Sequence, residues 1–391
     1  MNRILFLTAI LVIVFNILLF ADDFTTSGEG LTYTLSDLVF ASGGVVTGAT
    51  PNFYLNGNLT IAKKDTLLVD NETLIVQEDP SEYPVGYYIW INGKITSRNN
   101  SRFTATSPKI YVAWRGIIFW ESDDGSVIEN SIIEKGSIGI TCNHSNPEII
   151  NTTVRNCFNS GIYIFGNSSP SITYCNIIDN SGANGILIIN STPVLFNNNH
   201  FDSNGTGIAS AACPENCSII QNSLYRNKIG IYSFIDDHTY YCNNTISQNE
   251  DGIFTSHNSH NTIENNKIEF NDYSALETFD FSAPQVFNNQ FKGNSCYAEL
   301  GSVIIYDSST PNLGNGDRDG NNTFVSSYGY DLINFTPQVQ IAVGNIWSYP
   351  TQPDFVIYDN EEDKDDADGS GFVSGRVIYN ATSVDNWVEF R

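Results

Sequence analysis

The sequence is poor in positive charge. Only 18 of its 391 residues are Lys or Arg, against 43 Asp or Glu, and the formal net charge is −25. No stretch of the chain concentrates Lys or Arg, whereas binding to a phosphate backbone requires clustered cations. We therefore expect no nucleic-acid partner. The same excess of carboxylates repels polyuronate chains unless Ca²⁺ bridges the two sets of charges.

Long apolar runs are absent as well, with one exception near the N-terminus. Residues 4–20 are almost entirely apolar, follow Arg3 and precede Ala21. This order is typical of a secretory signal peptide, so we expect residues 1–21 to be cleaved and a bacterial cell to export the remainder to the periplasm or the medium. A retained membrane anchor is the alternative, since a span needs about 17 apolar residues or more. We predict no other membrane span.

The chain contains no Cys-x-x-Cys pair, which argues against a structural zinc site. Its seven cysteines are an odd number, so at least one stays unpaired in a monomer. Cys213 and Cys217 are close enough in sequence to form a local disulfide if the protein is exported. Burial as a small apolar residue is the expected role of several others.

A repeat dominates the rest of the sequence. The dipeptide Gly-Ile recurs at intervals of 22 to 24 residues, beginning at Gly116, Gly139, Gly161, Gly185, Gly207, Gly230 and Gly252. A fixed period of this length indicates a solenoid, in which each repeat is one supersecondary unit. Stacked repeats then share a continuous core.

Asparagine follows the same period in two columns. The first column is Asn156, Asn180, Asn204, Asn227, Asn249, Asn271 and Asn294. The second is Asn130, Asn176, Asn198, Asn222, Asn244, Asn266 and Asn289. Identical carboxamides stacked about 4.8 Å apart can donate to one neighbour and accept from the other. We therefore predict asparagine ladders at inward-facing turns, where an unpaired amide would cost about 1 to 3 kcal/mol.

Short runs rich in Ile, Phe and Tyr flank these turns, for example residues 162–165, 186–189 and 231–234. Such runs, bounded by Gly, Asn and Ser, are typical of strands. No stretch beyond the apolar N-terminus keeps a helical period, and the Leu-x-x-Leu-x-Leu signature of leucine-rich repeats is missing. A coil of about 22 residues with two or three short strands predicts an all-β parallel β-helix.

Residues 114–133 and 151–178 resemble the repeats of right-handed parallel β-helix proteins of the pectate-lyase-like superfamily, and the likeness extends over roughly residues 55–379. The resemblance implies a right-handed β-helix solenoid with N- and C-terminal caps. It does not imply one activity, because the superfamily includes lyases, hydrolases, esterases and proteins without known catalysis. The galacturonase elements Asn-Thr-Asp, Gly-His-Gly and Arg-Ile-Lys are missing here, which argues against that activity.

The predicted organisation has four parts. After the signal peptide, residues 22–110 form an N-terminal cap and irregular first coils, and residues 111–300 form the regular coils. Residues 301–391 form the last coils and a C-terminal cap that contains an acidic loop.

One cluster could carry catalysis. Aligning the coils places His238 and His260 eight residues after the Gly of their Gly-Ile pairs, so their rings should stack on adjacent coils. Asp236 and Asp237 precede the first of them. Carboxylates and imidazoles together could bind a metal or serve acid–base cleavage of a glycosidic bond, so these four are the candidate catalytic residues. A solvated polar loop is the alternative.

A lyase would instead use cationic side chains. Arg155 and Arg226 are predicted to share an outward column, about 14 Å apart at the inter-strand spacing, which is too far for both to grip one sugar. A mixed-charge surface is the alternative.

Calcium is the one cofactor that the sequence suggests. Asn315, Asp317 and Asp319 match the first half of an EF-hand loop, but Ser326 stands where the bidentate Glu should be. Asp366 and Asp368 match less well. A turn built from Gly, Asn and Asp is the alternative.

These observations favour a secreted β-helix module that binds a polysaccharide or cell-surface glycan, or that has a structural role. A polysaccharide lyase or glycoside hydrolase acting on a face of the β-helix is the alternative. Aromatic side chains along the strands would serve sugar binding in both.

Overall fold

The structure, a computed structural model, describes residues 23–78, 86–106, 114–193, 195–235, 237–297, 300–315, 317–351, 356–359 and 377–379. The predicted signal peptide and most of the predicted acidic loop lie outside these ranges. Nearly all regular structure within them is β-strand. No helix in these ranges is long and apolar enough to cross a membrane.

Three long sheets build a solenoid in which each coil passes from sheet A to sheet B to sheet C. Sheet A has 14 strands: Asp23–Thr25, Asn58–Ile61, Tyr88–Ile91, Gly116–Trp120, Ile138–Asn143, Ser160–Phe165, Asn184–Ile189, Thr206–Ala211, Ile229–Phe234, Asp251–Ser256, Ser274–Thr278, Gly301–Ile305, Tyr330–Asn334 and Ile357–Tyr358. Sheet B has 11 strands: Thr32–Thr34, Thr66–Asp70, Lys94–Arg98, Val127–Glu129, Glu148–Ile150, Ser171–Thr173, Leu195–Asn197, Ser218–Ile220, Tyr240–Cys242, Thr262–Glu264 and Gln285–Phe287. Sheet C has 13 strands: Val46–Ala49, Asn52–Leu55, Thr73–Val76, Arg102–Ala105, Ile132–Glu134, Thr153–Arg155, Asn176–Ile178, His200–Asp202, Ser223–Tyr225, Thr245–Ser247, Lys267–Glu269, Gln290–Lys292 and Thr323–Val325.

Pairing between coils is parallel and keeps one register. The Ile of each Gly-Ile pair lies directly over its counterpart in the next coil and is fully buried: Ile117, Ile140, Ile162, Ile186, Ile208, Ile231 and Ile253. Burying one such side chain contributes about 1.5 to 3 kcal/mol. The predicted all-β parallel solenoid is confirmed.

The glycines of the repeat are required by close contact between coils. A Cβ added to Gly139, Gly161 or Gly207 would lie 2.6 to 2.7 Å from the carbonyl oxygen of the corresponding glycine one coil further on. It would also meet the side chain of a ladder Asn, a Cys or a core aliphatic residue. Each Gly-Ile dipeptide therefore marks the point where the backbone turns from sheet C into sheet A.

Two asparagine ladders run through the interior. At the turn from sheet C to sheet A, each side chain from Asn180 to Asn271 donates to the carboxamide oxygen of the next ladder residue. The prediction is confirmed for this column except at its start, because Asn156 is exposed and the neighbouring Cys157 donates its backbone N–H to Asn180.

The second ladder lies at the turn from sheet B to sheet C. It runs through Asn199, Asn222, Asn244, Asn266, Asn289, Asn322 and Asn345. The prediction was wrong for Asn130, Asn176 and Asn198. Asn130 and Asn198 have exposed, left-handed conformations, and Asn176 lies on the outer side of sheet C.

The N-terminal end contains elements that the sequence pattern did not predict. A short helix, α1 (Leu35–Ala41), begins at a capping box formed by Thr34 and Asp37, and it buries Leu35 and Leu38. Seven residues are too few to show a helical period. The first two strands of sheet C pair antiparallel, and a two-stranded sheet, Gln340–Ile341 with Val377–Ile378, lies near the other end.

Candidate functional site

Aromatic side chains recur along the outer side of sheet A. Successive strands place one outward residue over the next in the column Trp90, Ile118, Thr141, Tyr163, Leu187, Ala209, Tyr232, Phe254, Glu277, Ile304, Ile333 and Tyr358. A parallel column two residues further along contains Trp120, Asn143, Phe165, Ile189, Ala211, Phe234 and Ser256 and continues through Phe279, Tyr306 and Phe335. We call these two columns the aromatic face.

The rings of the aromatic face contact one another in two groups, one from Trp90 to Phe165 and one from Tyr232 to Tyr358. Trp90 and Trp120 stack with their centroids 5.3 Å apart. Further along, Phe279 lies 4.7 Å from Phe254 and 4.2 Å from Tyr306. These contacts fix the rings and reduce the conformational freedom that a ligand would otherwise have to restrict.

The middle of the aromatic face differs from its ends in the size of the side chains. Two Tyr-x-Phe pairs, Tyr163 with Phe165 and Tyr232 with Phe234, stack within their own strands at 4.7 and 4.8 Å. The coils between them carry Leu187, Ile189, Ala209 and Ala211, which are buried or half-buried and form an apolar cluster with the flanking rings. The two alanines are only 2 to 3% exposed, because the flanking rings pack against this cluster.

Among the described residues of these two columns, Glu277 is the only charged one. Asp251 lies on the preceding strand of the same sheet. Burial raises the pKa of Tyr306 to about 12, and the negative charges of Glu277 and Asp251 add to this shift. The three groups therefore occupy one stretch of the sheet. The sequence pattern did not predict this group, although Asp251 directly precedes a repeat glycine and its position on a strand could have been predicted.

The predicted catalytic cluster divides between the inside and the outside of the solenoid. Asp237 is buried, and its carboxylate accepts hydrogen bonds from Ser210, Ser233 and Tyr241 at 2.7 to 3.0 Å. Thr239, Asn261 and the backbone N–H of Cys213 also donate to it. This residue takes the place that serines hold at the turn from sheet A to sheet B in other coils, such as Ser168.

The two histidines of the cluster lie on the outside. The rings of His238 and His260 stack with centroids 5.5 Å apart and planes 13° from parallel, so the predicted alignment of their coils is confirmed. The backbone N–H of His260 donates to the carbonyl of Asp237. Asp236 lies outside the described residues. The catalytic role of Asp236, Asp237, His238 and His260 stays a prediction.

The predicted calcium ligands are only partly described. Asn315, Asp317 and Asp319 are exposed, and the Asn315 side chain accepts hydrogen bonds from the backbone N–H groups of Asp317 and Arg318. Asp366 and Asp368 lie outside the described residues. Across the ranges that the structure describes, no three His, Cys, Asp or Glu side chains are grouped as metal ligands. Calcium binding stays a prediction.

The two arginines proposed for a lyase face occupy different columns. Arg155 is on a strand of sheet C and pairs with the buried Glu134 at 2.8 Å. Arg226 follows a strand, has a left-handed backbone conformation and pairs with Asp202. The predicted shared column was wrong, because Arg226 lies one residue beyond the strand position that corresponds to Arg155.

The cysteines are mostly core residues. Six of the seven, including Cys213 and Cys217, are buried and carry free thiols, and Cys296 is exposed. Burial raises the pKa of the Cys157 and Cys175 thiols to about 12. The expected role of several cysteines as small apolar residues is confirmed.

Comparison with known proteins identifies the family. A sequence profile described as the right-handed beta helix region matches residues 81–199 and 166–317, which together span more than half of the chain. The chain belongs to this family. The right-handed parallel β-helix that the resemblance implied is therefore confirmed.

Solved structures show the same β-helix architecture. Three crystal structures of the periplasmic alginate epimerase AlgG, two of them of mutant proteins, align with 91 to 92% of this chain and 84 to 85% of their own. Their TM-scores are 0.54 to 0.57 and their sequence identities 14 to 16%. At this identity the likeness shows the fold alone. A search of curated proteins gave no match.

Proposed function

We propose that this β-helix protein binds polysaccharide along the aromatic face, as an exported carbohydrate-binding module. The observation that carries the proposal is the column of rings from Trp90 to Tyr358 on one side of sheet A. Aromatic rings pack against the C–H faces of sugars and bury apolar area there. The periplasmic AlgG, named as an alginate epimerase, has the same fold and supports a polysaccharide as the class of ligand.

The middle of the aromatic face is the proposed centre of binding. The two Tyr-x-Phe pairs are three coils apart, a distance of about 14 Å at the inter-strand spacing. An extended glycan lying along the solenoid axis would contact both pairs. Rigid rings spaced along a flat sheet suit a chain of repeating sugar units better than a single small molecule.

Affinity gel electrophoresis against soluble polysaccharides tests this proposal. Trp90→Ala and Tyr232→Ala should each reduce the retardation of the protein, because each removes a ring from the face. Tyr54→Ala is the matched control, since Tyr54 is an exposed tyrosine on sheet C. Thermal unfolding of every variant checks that the fold is kept. Equal retardation of all three variants and the wild type would show that the face does not bind polysaccharide.

Cleavage of the bound chain is the second candidate function. Asp251 and Glu277 favour it, because they lie on adjacent paired strands of sheet A and glycoside hydrolysis commonly uses two carboxylates. If the protein is a hydrolase, release of reducing ends should fall by at least about a hundredfold in Glu277→Gln, while retardation in the gel is kept. Absence of reducing ends from every retained polysaccharide would leave the binding function alone.

Export is part of the proposal. Expression of the whole chain in a bacterial host, followed by N-terminal sequencing of the protein recovered from periplasm and medium, should give a mature N-terminus at Asp22. Recovery of the intact chain in the membrane fraction would favour the anchor instead.

A further inference from the structure

One corner of the coil is occupied by the same kind of residue almost throughout the solenoid. At the turn from sheet B to sheet C, almost every coil of the series has an Asn or Gln with a left-handed backbone conformation: Asn71, then Asn99 and Asn100 in one coil, then Asn130, Asn151, Asn198, Gln221, Asn243, Asn265, Asn288 and Asn321. Carboxamide side chains, and Asn above all, are well suited to this conformation. In a single coil of the series the residue is Tyr174, with a φ of 57°.

Packing of the Tyr174 side chain does not offset the energetic cost of its left-handed backbone. A left-handed backbone is unfavourable for a bulky aromatic residue. The side chain is nevertheless 60% exposed, and it makes no ring contact or side-chain hydrogen bond with the described part of the chain. Strain at an exposed side chain is a reason to ask whether that residue binds a ligand.

A groove begins on the coil that follows Tyr174. It has a volume of about 380 Å³ and is lined by Asn198, Asn199, His200, Gln221, Asn222, Ser223, Asn243 and Thr245. Its walls are therefore amides, hydroxyls and one imidazole. The volume lies within the range of about 300 to 1,000 Å³ typical of small-ligand sites.

Several polar groups of this groove are available to a ligand. The side chains of Gln221, Ser223, Asn243 and Thr245 make no hydrogen bond to any described residue of the protein. The ladder residues Asn199 and Asn222, by contrast, are buried and bonded to each other. The groove therefore has a rigid floor and a rim of unengaged neutral donors and acceptors.

We propose that Tyr174 and this groove form a second saccharide-binding site, specific for a neutral, hydroxyl-rich glycan. The Tyr174 ring covers the C–H face of one sugar, and the amides and hydroxyls of the rim pair with the hydroxyls of the next units. Two charged side chains near the groove, Asp202 and Arg226, form an ion pair, so their charges offset each other. The site lies at the corner between sheets B and C, apart from the aromatic face on sheet A.

The decisive variant is Tyr174→Asn, because Asn is the residue that most other coils have at this corner. The substitution removes the ring and relieves the backbone, so the melting temperature should be equal to or above that of the wild type. Calorimetric titration with cello-, xylo-, manno- and malto-oligosaccharides should show a Kd at least about tenfold weaker for the preferred sugar. Gln221→Ala with Asn243→Ala should weaken the same sugar, and high salt should leave the wild-type Kd unchanged.

Two comparisons separate this site from the aromatic face. Tyr54→Asn, at an exposed tyrosine on sheet C outside the groove, should bind like the wild type. If Tyr232→Ala loses the oligosaccharide and Tyr174→Asn keeps it, the groove is not a saccharide site, although the aromatic face is. If the wild type binds none of the four oligosaccharide series, the groove proposal is overturned as well.

Discussion

At the scale of single residues, the direction of a side chain within a turn decides what a polar residue can do. Asp237 and His238 are adjacent in sequence, but Asp237 is buried among Ser210, Ser233 and Tyr241, and His238 stacks on the exposed His260. A buried carboxylate with this many donors is a structural acceptor, because it satisfies polar groups that would otherwise be unpaired inside the solenoid.

Replacing Asp237 by Asn should therefore destabilise the protein. The Asn side chain turns an NH₂ group toward neighbours that are themselves donors, and the loss should be about 2 kcal/mol or more in the free energy of unfolding. Urea denaturation followed by circular dichroism measures it. Asp317→Asn, in an exposed turn, should change stability by less than about 0.5 kcal/mol. Wild-type stability together with lost glycan cleavage would instead support the catalytic role.

Glu134 should make the stability of the fold depend on pH. Burial opposes its ionisation, but hydrogen bonds from Arg102, Thr104 and Arg155 outweigh burial and hold its pKa below the ordinary glutamate value. The carboxylate is only 2% exposed. Because the folded pKa is depressed, Glu134 stabilises the fold above the unfolded pKa of about 4.3, and this stabilisation is lost as pH falls through the folded pKa.

The measurement compares wild type and Glu134→Gln in urea at several pH values. The wild type should be more stable near neutral pH, and the difference should shrink as the pH falls below about 4. A difference that stays constant across this range would mean that the ionised carboxylate contributes no stability.

At the scale of elements, the ladders explain why the coils keep one register. The Asn227 side chain accepts two hydrogen bonds from Asn204 and donates to Asn249 and to the Phe201 carbonyl. A shift of one coil by one residue would leave these groups unpaired in the interior.

Asn227→Ala should cost about 3 kcal/mol or more, since it leaves several buried groups without partners. The matched control is Asn176→Ala, at an exposed position on sheet C, which should be nearly neutral. Urea denaturation of the two variants side by side tests the difference. Equal stability would show that water or rearranged backbone replaces the ladder.

The coil, the strands and the first ladder could be predicted because the glycines, the isoleucines and the asparagines of the first column each recur with the same period. The second ladder could not be placed to the residue. Pairs such as Asn198-Asn199 and Asn265-Asn266 contain one Asn in the left-handed turn and one in the ladder, and both positions favour Asn. The repeat period likewise could not predict that Asp237 is buried while His238 and His260 lie outside, because this depends on side-chain direction inside a turn.

At the scale of the whole molecule, the net charge favours a neutral ligand for the proposed binding face. The net charge of −25 repels acidic glycans at long range, and the two columns of the aromatic face carry Glu277 as their only described charge. Neutral polysaccharides meet no such barrier.

In low salt without divalent ions, the gel should therefore retard the protein with neutral polysaccharides and not with alginate. Raising the salt concentration should leave neutral binding unchanged, because contacts to uncharged sugars are not screened. Retardation by alginate that appears only with Ca²⁺ and disappears with chelator would indicate a bridging ion. Retardation by alginate in chelator at low salt would contradict the charge argument.

The repetition of the ladders has a consequence for how such a chain changes in length. Asn204, Asn227 and Asn249 each meet equivalent partners above and below, so one whole turn can be cut out and the ends rejoined without leaving a ladder asparagine unpaired. A gene encoding this molecule could therefore lose or gain whole repeats. The cross-section of the solenoid would stay the same, and only the length of its surfaces would change.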